Sequence, residues 1–248
     1  MQTATAISLQ KTYHVPKKQV HNKCIDCGRA HTCLAQSLEG EDLAAFDEIV
    51  KHSKKVNRGD YLYQAGDKFE SIYVIRSGSI KTFIDDEEGR EQILGFSIRG
   101  DVVALEGATM NVYPTTAQAL ETTHVCEISF ARYMELATKI PALYQQLLTQ
   151  MSHQIRDEEK HTLLIGTKSA EKRLASLLIN FSNRYAARGY SKNEFNLYMS
   201  RRDIGNYLSA AMETVSRIFS RLQTNGLIEV RGKLIEIKDI EGLQKYAT

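Results

Sequence analysis

The sequence predicts an α+β chain: a β-sandwich or barrel, then one long helix, then a small helical unit closed by a two-stranded hairpin. Three observations carry that prediction. Between about Tyr61 and Phe130, short β-rich runs alternate with glycine turns. From Pro141 the chain continues to Gly166 with no intervening glycine or further proline. After Gly189, two amphipathic segments flank a turn of small residues. The corresponding division is 1–37 as an N-terminal arm, 38–140 as the β-rich unit, 141–166 as the long helix and 167–248 as the C-terminal unit.

The β-rich unit is read from its punctuation. "DYLYQAGD", "SIYVIRSG", "SIKTFIDDEEG" and "REQILGFSIRGD" each join a strand-like run to a turn containing glycine. Gly59–Asp60, Gly66–Asp67 and Gly100–Asp101 repeat one turn signal. Many short strands at close spacing imply a sandwich or barrel.

Pro141 suits the first turn of a helix, where the N–H it lacks has no intrahelical partner. Along the helix that follows, Leu148, Met151, Ile155, Glu158 and Thr162 are spaced three and four apart with polar flanks. That is a coiled-coil seam, and it predicts a homodimer interface. Glu158 is its odd member. In a parallel pair it faces its twin, and two carboxylates close together repel. One residue there sets the balance between monomer and dimer.

In the C-terminal unit, Lys168–Gly189 reads as an amphipathic helix closed by a glycine. Ser200 and Asp203 give an S-x-x-D start signal for a short helix reaching about Leu208. Ser209–Ala210–Ala211 is a tight turn, and a second helix runs from about Met212 to Gln223, with Val215, Ile218, Phe219 and Leu222 on its buried side. "NGLIEVRGKLIEI" then folds as a wing turning at Arg231–Gly232. Two short helices joined in this way match a DNA-binding helix-turn-helix.

The outward face of the second helix carries Glu213, Ser216, Arg217 and Ser220–Arg221. Arginine can donate twice to guanine, glutamate accepts from cytosine, and serine adapts to several bases. Arg201, Arg202, Arg231 and Lys233 are placed for phosphate contacts. Charge agrees with this assignment. The net charge of +2 divides into +4 over 1–33, −8 over 34–164 and +6 over 165–248. The basic third is where a polyanion is expected.

The chain has 248 residues, room for two ordinary domains, and 42% of them are hydrophobic and 25% charged, as in globular proteins. No apolar run reaches the roughly 20 residues that span a bilayer, and the start, MQTATAISLQKTYHVPKK, lacks the apolar core of a secretory signal. The cytoplasm is therefore the expected compartment, no membrane partner is expected, and thiols stay reduced. No nucleotide fingerprint or nucleophile–base motif suggests an enzyme.

"NKCIDCGRAHTC" sets Cys24, Cys27 and Cys33 on a short arm. A reducing compartment disfavours a disulfide knot, and soft thiolates suit iron–sulfur clusters or zinc. On residues alone, Cys24, Cys27, His31 and Cys33 form a possible Cys3His zinc site, and the two metals remain open.

The order of β-sandwich, seam helix and winged helix-turn-helix resembles the Crp/Fnr superfamily of bacterial transcription regulators. "DIGNYL…ETVSR", the C-x2-C-x5-C arm and "AQALETTHVCEISF" resemble its Fnr-type oxygen-responsive branch in particular. The resemblance covers nearly the whole chain after the first twenty residues. It implies a cyclic-nucleotide-binding-like jelly roll (β-roll) for the sensor unit and a homodimer paired through the long helix. It implies a [4Fe–4S] cluster on Cys24, Cys27, Cys33 and Cys126, whose loss in oxygen ends dimerisation, with Ile155 and Glu158 controlling the pairing. Glu213, Ser216 and Arg217 would read double-stranded DNA at an inverted repeat of TTGAT half-sites, and RNA polymerase is an implied partner. Where the cyclic-nucleotide branch carries an Arg-Ser pair, this chain has Tyr113–Pro114. A cyclic phosphate lacks its charge partner there, so cyclic nucleotide is not an expected ligand. The alternative within the same fold is a regulator with structural zinc and a small effector in the β-roll.

Overall fold

The computed structural model describes Lys23, Cys24, Cys27 and residues 33–248. His21 and His31 lie outside the described residues, as does most of the arm.

Helix α1 (Gly40–Glu48) leads into β1 (Val50–Val56), β2 (Tyr61–Tyr63), β3 (Ser71–Ser77), β4 (Ser79–Asp85), β5 (Glu91–Ile98) and β6 (Val102–Val103). A 3-10 turn, Leu105–Thr109, precedes β7 (Thr116–Ala119) and β8 (Thr123–Ser129). The strands form two four-stranded sheets, ordered β1-β8-β3-β6 and β2-β7-β4-β5. This is the sandwich the glycine punctuation predicts. Gly59, Gly66 and Gly100 all take positive φ, the conformation for which a turn selects glycine. Ile80 of β4 packs in the sandwich core, whereas Phe83 of β4 and Ile93, Phe96 and Ile98 of β5 are buried in the core shared with the C-terminal unit.

Helix α2 (Phe130–Lys139) packs against α1 and presents Tyr133 inward, its hydroxyl donating to the Leu143 carbonyl at 2.8 Å. Helix α3 (Pro141–Thr167) starts with proline in its first turn, as the sequence predicts. Its inner face buries Leu143 and Leu147 against the sandwich. No described helix is long and apolar enough to cross a membrane.

The C-terminal unit comprises α4 (Ala170–Ala186), β9 (Glu194–Asn196), α5 (Arg201–Tyr207), α6 (Met212–Thr224), β10 (Ile228–Arg231), β11 (Leu234–Ile237) and α7 (Ile240–Ala247). Helix α4 is extended by a closing turn. The Tyr190 amide bonds the Tyr185 carbonyl and the Gly189 amide that of Ala186, with Gly189 at φ +77°. That pairing is a Schellman closure, which requires a left-handed residue at Gly189.

The wing gains a third strand, because β9 pairs with β11. A single core spans both units. Phe83, Ile93, Phe96, Ile98 and Leu120 of the sandwich join Leu174, Phe181, Ile204, Phe219 and Leu222 of the C-terminal unit.

Candidate functional site

The fold brings the three cysteines of the arm to a fourth that is distant in sequence. Cys24, Cys27 and Cys33 of the arm and Cys126 of β8 line a single cavity, together with His52, Arg76 and Arg99. All four are free thiols. The arm is fixed from both sides: the Cys24 amide donates to Asp47 Oδ1 at 2.7 Å, and Gln146 of α3 donates to the Cys33 carbonyl at 3.3 Å. Arg99 donates to the Cys27 carbonyl at 3.3 Å.

Burial pushes the Cys24 thiol well above the ordinary range, and the neighbouring Asp47 carboxylate adds to the rise. The Cys126 thiol is pushed up to about 12, by burial first and then by the charges of Cys33 and Cys27. Cys33 is raised by burial too. Three sulfurs raised by burial, with a fourth on the same cavity wall, form a site that favours a bound cation.

Asp47 and His52 had no signal in the sequence. His52 Nε2 lies 2.9 Å from Asp47 Oδ1, and its Nδ1 lies 3.9 Å from Cys126 Sγ. The pair therefore spans Cys24 and Cys126. Burial opposes ionisation of Asp47, but hydrogen bonds from Cys24 and the His52 contact hold its carboxyl below the usual range. Ligand atoms of Cys24, Asp47 and His52 lie within 4.8 Å of one another, close enough to hold a metal ion.

The outer face of α3 is apolar and uncovered. Leu148 is 63% exposed and Ile155 55%, with Met151, Glu158 and Thr162 exposed beside them. Tyr144 extends the row by one turn toward the N-terminus. Glu158 enters no ion pair among the described residues, for Lys160 pairs with Asp157 and Arg156 bonds His153.

In α6, Val215, Ile218, Phe219 and Leu222 are buried, and Glu213, Ser216 and Arg217 face solvent. Helix α5 begins in a full capping box between Ser200 and Asp203. Close approach of the two helices depends on Gly205, since a Cβ there would lie 2.5 Å from the Ala210 carbonyl oxygen. The basic residues divide. Arg202 is exposed, while the Arg201 guanidinium lies 3.3 Å above the Phe219 ring centre. Arg221 is drawn back to Glu171, which also accepts from Tyr246.

Residues 53–139 match the cyclic nucleotide-binding domain and residues 172–246 the Crp-like helix-turn-helix domain. The transcriptional activator protein Anr of Pseudomonas protegens is 48% identical over 225 residues, covering 90% of this chain and 92% of that protein. The anaerobic regulatory protein of Haemophilus influenzae is 44% identical, covering 89% and 86%. The chain belongs to the Crp/Fnr family of transcription regulators.

Among solved structures, FixK2 from Bradyrhizobium japonicum superposes on this Crp/Fnr regulator with a TM-score of 0.73 at 27% identity. The match covers 79% of this chain and 96% of FixK2. The regulator thus carries a DNA-binding helix-turn-helix and is not an enzyme. Inside its β-roll, Tyr113 stacks on Tyr63 with ring centres 4.2 Å apart and gives its hydroxyl proton to the Ser71 carbonyl at 2.9 Å. Tyr73 lies 5.9 Å from Tyr63 on the same stack.

Proposed function

We propose that this regulator senses oxygen through a [4Fe–4S] cluster on Cys24, Cys27, Cys33 and Cys126. As a cluster-loaded homodimer it binds an inverted repeat of TTGAT half-sites in the cytoplasm to control anaerobic gene expression. The observation that carries this reading is the convergence of the four cysteines on one cavity. The names of its relatives, an activator and an anaerobic regulatory protein, support the class of response.

The donor set fits the group, since four soft sulfurs on one cavity, three of which burial disfavours as lone thiolates, match a positively charged iron core. When bound, the cluster supplies an oxidant-sensitive centre. The chain's residues supply the rest. Asp47 anchors the Cys24 backbone, His52 lies against Cys126, and Gln146 ties Cys33 to α3. Displacement of the arm therefore bears on the helix with the exposed row from Tyr144 to Thr162. Pairing through that row buries Leu148, Met151 and Ile155 at the cost of bringing two Glu158 carboxylates together. Glu213, Ser216 and Arg217 then read the half-sites, and RNA polymerase is the partner on the promoter.

Tyr113, which stands where the cyclic-nucleotide branch carries its Arg-Ser pair, is stacked on Tyr63 and offers a cyclic phosphate no cation, which supports a signal other than cyclic nucleotide. The test is DNA binding to a TTGAT palindrome by protein purified without oxygen and then exposed to air. Tight binding lost in air is expected. Binding indifferent to air would overturn the reading and favour structural zinc with a separate effector.

A further inference from the structure

Strand β5 is the outermost strand of its sheet, so one edge of its backbone has no strand beside it among the described residues. Such an edge presents amide and carbonyl groups that need partners. Helix α5 of the DNA-binding unit supplies them from one side chain. Asn206 Nδ2 donates to the Glu91 carbonyl at 2.5 Å, and Asn206 Oδ1 accepts from the Ile93 amide at 2.7 Å. A single carboxamide makes the two bonds that a neighbouring strand would make.

The surroundings hold that contact in place. Lys81, nearly buried, bridges Glu91 at 2.6 Å and Asp203 at 3.3 Å, so the acid that caps α5 is also tied to the sandwich. Tyr207 packs on Phe96 on one side and stacks on His161 of α3 on the other, with ring centres 4.1 Å apart. Farther along, Arg184 donates to the Phe96 carbonyl at 3.0 Å, and Arg184 and Arg188 both pair with Asp101. In this docked arrangement Glu213, Ser216 and Arg217 remain exposed, and so do Leu148 and Ile155. Docking therefore obstructs neither DNA reading nor pairing.

We propose that Asn206 is a positioning residue for DNA binding. By clipping α5 to the edge of β5 it fixes the recognition helix relative to α3, so that the two helices of a dimer present the spacing an inverted repeat demands. The inference rests on the dimer and inverted-repeat reading above. It adds a consequence that folding of the helix-turn-helix does not by itself imply. One half-site needs only an intact recognition helix, whereas the full repeat needs two at a set distance and angle.

Asn206→Asp keeps the shape and the acceptor for Ile93 but turns an oxygen toward the Glu91 carbonyl, and Asn206→Ala removes both bonds. The expected result for either is a loss of about tenfold in affinity for the palindrome, with a single half-site changed by less than about twofold and the dimer intact on sizing. In Asn206→Ala, which alone removes the acceptor, the Ile93 amide should exchange its hydrogen about tenfold faster. Equal losses on both DNAs would mean a merely structural role, and an undiminished palindrome affinity would remove the role altogether. If the unaltered protein binds palindrome no better than half-site, the inverted-repeat reading fails. The clip would then stand or fall on the Ile93 exchange rate, with an unchanged rate overturning it.

Discussion

Gln146 of α3 donates to the carbonyl of Cys33 at 3.3 Å, joining the last cysteine of the arm to the helix that carries the exposed seam. The same helix turns Leu143 and Leu147 inward and Leu148 and Ile155 outward. A change at the cysteines and a change in pairing therefore meet on adjacent faces of one rigid rod.

Glu158 lies within the outward row and has no ion-pair partner among the described residues. Removing its charge removes the repulsion between twins. Glu158→Ala is expected to remain dimeric on a sizing column in air, and the unaltered chain is expected to be monomeric there. A monomeric variant would show that the seam is not balanced by this carboxylate.

Arg99 connects the arm to the DNA-binding unit, donating to the Cys27 carbonyl at 3.3 Å and to the Tyr190 hydroxyl at 2.5 Å. Tyr190→Phe removes the second contact from the far side. Alkylation of Cys27 in reduced, metal-free protein is expected to quicken by about threefold, since the strut then loses one anchor. An unchanged rate would mean that nothing passes through Arg99.

Two glycines predict effects of opposite sign. Gly205→Ala forces a Cβ to within 2.5 Å of the Ala210 carbonyl oxygen, and overpacking of this kind costs about 1–3 kcal/mol. Gly166, in the last turn of α3, meets nothing within 4 Å. Gly166→Ala should stabilise by up to about 1 kcal/mol through helix propensity. Urea unfolding of the two variants measures both.

Asp203 carries a pH dependence. Burial opposes its ionisation, but hydrogen bonds from Ser200 and the Lys81 ammonium hold its pKa below the ordinary 3.8. A depressed carboxyl contributes stability that is complete above the unfolded value and lost as pH falls through the folded one. The difference in unfolding free energy between the unaltered chain and Asp203→Asn should be constant near neutrality and shrink below about pH 4. A difference that grows in acid would contradict the assignment.

The helix-turn-helix was legible in the sequence because its signals are local: the Ser200–Asp203 cap, the small turn and the buried period of Val215, Ile218, Phe219 and Leu222. Pro141 and the Gly-Asp turns were legible for the same reason. Helices α1, α2 and α7 and strand β9 were not read from the sequence, although α7 opens on an Asp239 cap that accepts from the Gly242 amide, and β9 takes its meaning from pairing with β11. Asp47 and His52 were invisible because their role is to lie beside Cys24 and Cys126, which are far from them in sequence. Nothing in the sequence marked Asn206 for this contact, since its partners are backbone groups that no side-chain pattern reveals. The exposed row on α3 was legible from Leu148 onward, though Tyr144 was missed because the aromatic sits one turn before the aliphatic run.

The cluster assignment of Cys126 is tested most directly by iron and acid-labile sulfide in protein purified without oxygen, alongside Cys126→Ser and His31→Ala. About four iron and four sulfide per chain are expected in the unaltered protein and in His31→Ala, with loss of both in Cys126→Ser. About one zinc per chain without sulfide, kept in Cys126→Ser and lost in His31→Ala, would contradict it.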